Sequence, residues 1–87
     1  PPMPDFKFTE NAKAIYEKSI SATPFPFRKI VKNGLHKLLM DGYGETKEIS
    51  EEEIVKVIKK NTPKPFLGLG MDAIRPLVTN KNVAAKL

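Results

Sequence analysis

The chain has 87 residues, with 15 Lys and Arg against 10 Asp and Glu for a formal charge of +5. That length holds one domain with one modest core, which buries only about 60–65% of the unfolded surface. With no cysteine and a single histidine, His36, the composition excludes disulfides, thiolate zinc sites, Cys-ligated clusters, Cys nucleophiles and any multi-histidine metal site within one chain.

Residues 1–8 open as Pro1-Pro2-Met3-Pro4 and end as Phe6-Lys7-Phe8, which predicts an extended lead-in pinned by its two phenylalanines. The segment has no cationic stretch followed by an apolar run, so it does not read as a secretion leader. Thr9 is placed to cap a first helix over about 10–21, in which Ala12, Ile15, Tyr16 and Ile20 form one apolar stripe. Next comes Ala22-Thr23-Pro24-Phe25-Pro26-Phe27. The alternate prolines exclude helix there and bias Thr23 and Phe25 to extended conformations.

A second helix is predicted over about 27–41, with Phe27, Ile30, Val31, Leu35, Leu38 and Leu39 on its apolar stripe. Gly34 falls on that stripe and reads as a close-contact site for the first helix or the 62–70 segment. Lys29, Lys32, Asn33, His36 and Lys37 fall on the other face, and Gly42 and Gly44 end the helix.

Residues 45–49 have room for an extended pairing of two or three residues. Ser50 then opens a third helix over about 51–60 through a capping box with Glu53, and Glu51, Glu52 and Glu53 suit its dipole. Ile54, Val55, Val57 and Ile58 face inward, with Ile54 or Ile58 expected against Val31 and Leu38. Thr62 to Gly70 reads as a second Pro/Phe connector, Met71 to Arg75 as one helical turn, and 79–87 as a polar tail. The prediction is an all-α domain over 9–78, a small three- to four-helix bundle with Pro/Phe-rich connectors.

Few residues offer chemistry. Arg28 opens a helix, where a cation opposes the dipole. It therefore reads as a contact to a partner or ligand carboxylate, as an internal pair with an acidic residue such as Glu48 or Asp41, or as plainly solvated. His36 reads as a solvated surface residue, and no carboxylate neighbours it in sequence. Gly68-Leu69-Gly70 lacks the third glycine and the Lys-Ser/Thr of a phosphate loop. Adjacent glutamates on a helix splay by about 100° and cannot converge on one ion. No catalytic residue, metal site or cofactor is predicted.

The stretch from Ala12 to about Lys60 resembles the small C-terminal domain of the light-independent protochlorophyllide reductase B subunit, which also occurs as a free-standing bacterial protein. The resemblance rests on a short helix ending in Ile20, the junction Pro24-Phe25-Pro26-Phe27-Arg28, and a basic helix with Lys29, Lys32 and Lys37. A Gly-bearing turn into Ile49-Ser50 and a helix containing Val55 complete it. It covers a little over half of the chain. It implies a helical module without its own redox centre, attached to a protein that handles a tetrapyrrole and an iron–sulfur cluster.

The function expected from these readings is a non-catalytic accessory or protein-interaction module in a reducing, cytoplasmic setting. Its partner would be a larger protein. Phe25, Phe27, Arg28, Phe66 and Leu67 are the candidate contact residues, because stiff Pro-flanked phenylalanines and an arginine make good interface anchors. No apolar run approaches the roughly 20 residues of a membrane span. The alternative is a small basic nucleic-acid-binding domain built on Lys29, Lys32 and Lys37. Thirteen of the 15 cations are lysine, however, and no aromatic residue interleaves with those three.

Overall fold

In the first helix Ala12, Ile15, Tyr16 and Ser19 recur at helical spacing, and all four are buried. Val31, Leu35 and Leu39 do the same in the second, and Ile54, Val55, Val57 and Ile58 in the third. These three stripes form most of the core, which Ile49, Met71, Ile74 and Val83 complete. The computed structural model describes residues 6–44 and 47–87. Among these, β1 (Lys7–Phe8) leads to α1 (Ala12–Ala22), a 3₁₀ turn (Phe25–Phe27) and α2 (Arg28–Gly42). Then follow β2 (Glu48–Ile49), α3 (Glu51–Asn61), α4 (Lys64–Ile74), a 3₁₀ turn (Arg75–Leu77) and α5 (Lys81–Ala85). The protein is a small all-α bundle: α1 packs on α3 and α4, and α2 on α3.

β1 and β2 pair in parallel, Lys7 with Glu48 and Phe8 with Ile49. The extended pairing expected near 45–49 thus takes its partner from the N-terminal lead-in. Residues 1–5 of that lead-in, and 45 and 46 of the connector, lie outside the described residues. Phe6 and Phe8 pack against the core as expected.

Several local expectations change. The first helix starts after Asn11, with no side-chain cap from either Asn11 or Thr9; Glu10 takes a left-handed conformation (φ 55°) between β1 and α1. Phe25 is not extended but begins the 3₁₀ turn, which runs directly into α2. Gly44, at φ 63°, ends α2; Gly42 remains helical. Leu38 is only half-buried, and the fully buried leucines of α2 are Leu35 and Leu39.

The largest difference is α4. The segment 62–70 is not a connector: Lys64 to Ile74 is one continuous helix. Pro63 sits at its N-cap and Pro65 within its first turn, where a missing N–H breaks no intrahelical bond. Gly68 and Gly70 each cost up to about 1 kcal/mol in helix propensity. Burial of Met71 and Ile74 offsets this.

The C-terminal residues also differ from the expected tail. Asn80 caps α5 by accepting from the N–H groups of Asn82 and Val83. Val83 is buried, and Leu87 packs against the core.

Candidate interaction surface

The junction before α2 is built by two prolines and one arginine. Thr23 and Pro24 are extended, and Pro26 fixes the short 3₁₀ turn that carries Phe25 and Phe27. Arg28 folds back onto the preceding helix. Its Nε donates to the Thr23 carbonyl (3.0 Å) and its Nη2 to the Ser21 carbonyl (2.9 Å). The guanidinium also lies 5.8 Å from the centre of the Phe25 ring. Neither Glu48 nor Asp41 pairs with it. Its internal role is to satisfy carbonyls at the C-terminal end of α1, where a cation suits the dipole.

α4 brings the second aromatic segment to the first. The Phe27 and Phe66 rings lie 5.2 Å apart at 40°, so two segments 39 positions apart in sequence form one surface. Phe25 is 80% exposed and Phe27 44%. Leu67 does not join them: it is turned inward and packs against the core. In its place stand Leu69, one turn beyond Phe66 and 55% exposed, and Ile30, one turn beyond Phe27 and 70% exposed. Helical spacing alone predicts Ile30 on the buried stripe, and Gly68 and Gly70 predict a loop for Leu69. The available signal was angular. Ile30 lies about 100° around the helix from buried Val31, at the edge of a stripe that Leu35 and Leu39 centre elsewhere.

The same end of the molecule receives the C-terminus of α3. Asn61 Nδ2 donates to the Val31 carbonyl at 3.0 Å. Its side chain occupies the space a Cβ on Gly34 would need, with Cγ only 2.9 Å from that position. Gly34 is therefore a close-contact site, as expected, but its neighbour is Asn61 of α3 rather than α1 or α4.

A second feature lies elsewhere and was missed. Glu51, expected only to match the helix dipole, is fully buried. Its carboxylate accepts from the N–H groups of Asn11 (3.0 Å), Thr79 (2.9 Å) and Asn80 (2.8 Å), and from the Thr79 hydroxyl. Glu10 extends the network by accepting from the Glu51 N–H and from Asn80 Nδ2, while Asn11 Nδ2 donates to the Leu77 carbonyl. Burial alone would push the Glu51 carboxyl up. The donors outweigh it, and the group sits below its ordinary value. The Ser50–Glu53 capping box forms beside it as expected.

His36 is half-buried rather than solvated, edge-on to Phe6 with ring centres 5.8 Å apart. A surface cavity of about 340 Å³ lies between α1 and α2, lined by Tyr16, Glu17, Ile20 and Lys32. The buried Tyr16 hydroxyl has no partner among the described residues. Burial, and then Glu17, raise its pKa. Among the described residues no group of three or more His, Cys, Asp or Glu converges as metal ligands. No helix there is long and apolar enough to cross a membrane. Compared with protein-family models, curated proteins and solved structures, the chain matches none.

Proposed function

We propose that the protein is a non-catalytic interaction module that docks on a larger protein through the face formed by Phe25, Phe27, Ile30, Phe66 and Leu69. One observation carries the reading: four of these large apolar side chains stay substantially exposed in a chain with little apolar mass to spare. Their supports are rigid. Proline holds the 3₁₀ turn, and Arg28 ties it to the end of α1, so little entropy is lost when a partner orders it. The resemblance of the Pro24–Arg28 junction to the reductase domain favours a redox or tetrapyrrole-handling protein as the partner.

The test is photocrosslinking in the source cell, with a photoreactive phenylalanine at position 25 and, as control, at exposed position 82. The expected result is a discrete protein adduct from position 25 that position 82 does not give. Identical adducts from both positions would contradict the reading.

A second reading, a nucleic-acid-binding domain, is favoured by one specific observation: Arg28 lies over the Phe25 ring, an arrangement suited to stacking an unpaired base. It predicts binding to single strands whose log–log salt slope is about −0.7 per phosphate contacted.

A further inference from the structure

The apolar face lies within the part of the chain that has no negative charge. Residues 18–40 and 54–71 hold nine of the 15 Lys and Arg and none of the 10 Asp and Glu. The fold brings parts of these two runs together. Phe27 packs on Phe66, and Asn61 reaches the Val31 carbonyl. The start of α2, the end of α3 and the start of α4 therefore share one end of the molecule. Arg28, Lys29, Lys59, Lys60 and Lys64 are all exposed there. Neither α2 nor α4 has an acid in its first turn or a side-chain cap. Cations thus outnumber acids around the exposed apolar anchors, although Asp72 stands one turn beyond Leu69, where it pairs with Arg75, and Glu17 lines a cavity with Lys32.

We propose that the partner segment is acidic: a stretch of another protein that presents carboxylates around apolar or aromatic side chains. This rests on the docking reading above and adds the chemistry of the occupant. Charge complementarity sets the sign. Ile30 and Leu69, aliphatic and exposed, suit side chains better than bases, which want flat aromatic platforms. The fixed geometry of Phe25 and Phe27 suits a shaped protein surface better than a fluid lipid layer. Lysine supplies most of the cations, which fits carboxylates met one at a time rather than the forked recognition that arginine provides.

The test measures binding to four probes: a glutamate-rich glutamate–tyrosine copolymer, polyglutamate, oligothymidine, and vesicles of phosphatidylcholine with phosphatidylserine. The copolymer should bind at least about tenfold tighter than polyglutamate, because it alone supplies both components. Phe25→Ala with Ile30→Ala, and separately Lys29→Glu with Lys64→Glu, should each weaken copolymer binding about tenfold while circular dichroism stays unchanged. Equal binding of polyglutamate, tighter binding of oligothymidine or vesicles, or no copolymer binding would each overturn the proposal. If it fails while position 25 still gives a discrete protein adduct, the docking face stands and only the acidic chemistry is wrong.

Discussion

Glu51 and Phe25 occupy each other's usual places. One is a carboxylate with no exposed surface; the other is a phenylalanine with most of its ring in water. The two regions use burial for different ends. At Glu51 a charge is brought inside because four donors meet it there, and in doing so it ties the starts of α1 and α3 to the segment entering α5. Removing that carboxylate would leave these partly buried donors without their acceptor. At Phe25 and Ile30, apolar side chains are left mostly outside, Phe25 with the Arg28 guanidinium over its ring. The first region holds the chain together. The second is stiffened by the chain, through Pro24, Pro26 and the Arg28 hydrogen bonds. The comparison predicts opposite responses to mutation.

The largest expected effect is at Glu51. Glu51→Ala leaves three N–H groups and one hydroxyl without their acceptor and should cost about 3–5 kcal/mol. At this size total stability is on the order of 5 kcal/mol, so the variant should be largely unfolded by circular dichroism. A loss below about 1 kcal/mol would erase the contrast with Phe25.

Acid titration sharpens the same point. The folded-state pKa of Glu51 lies below its ordinary value of 4.5. Its contribution is therefore complete above that ordinary value and disappears as pH falls below it toward the folded pKa. The urea midpoint of the wild type should drop on acidification through this range, and Glu51→Gln should flatten the drop. An unchanged acid limb in Glu51→Gln would show that other carboxylates carry it.

A smaller effect separates two glycines. At Gly34 an added Cβ meets the Asn61 side chain, so Gly34→Ala should lose about 1–2 kcal/mol despite gaining about 1 kcal/mol of helix propensity. At Gly68 nothing lies within 4 Å of the Cβ position, and Gly68→Ala should gain about 0.5–1 kcal/mol. Thermal melts of the two variants should move in opposite directions. Movement the same way would mean that Asn61 swings aside freely or that α4 frays at this position.

How much of this could be read beforehand follows the range of the interactions. α3 was legible because its cap and its apolar stripe are adjacent in sequence: Ser50 and Glu53, then Ile54 through Ile58. α4 was not, because Pro63, Pro65, Gly68 and Gly70 are local turn signals, and what overrides them is burial of Met71 and Ile74 against distant elements. The Glu51 network was not legible for the same reason. Thr79 and Asn80 lie 28 and 29 positions away, and no spacing marks them as donors. The candidate face was half legible. Phe25, Phe27 and Phe66 stand out by their prolines, and the fold brings the two segments together. Which residues of α2 and α4 face outward was not legible, because that depends on how each helix is rotated in the bundle. Ile30 and Leu69 were therefore missed, and Leu67 was placed on the wrong side.

The central claim is that the face carrying Phe25, Ile30 and Leu69 is kept for docking and not for folding. The most direct measurement is a urea titration of the wild type beside the triple variant Phe25→Ala, Ile30→Ala, Leu69→Ala. All three side chains are more than half exposed, so each replacement should change stability by no more than about 0.5 kcal/mol. The account predicts unfolding free energies that agree to within about 1.5 kcal/mol, with unchanged slopes. A loss above about 2 kcal/mol, as removal of a core side chain gives, would mean that these residues belong to the fold and that the face is not free for a partner.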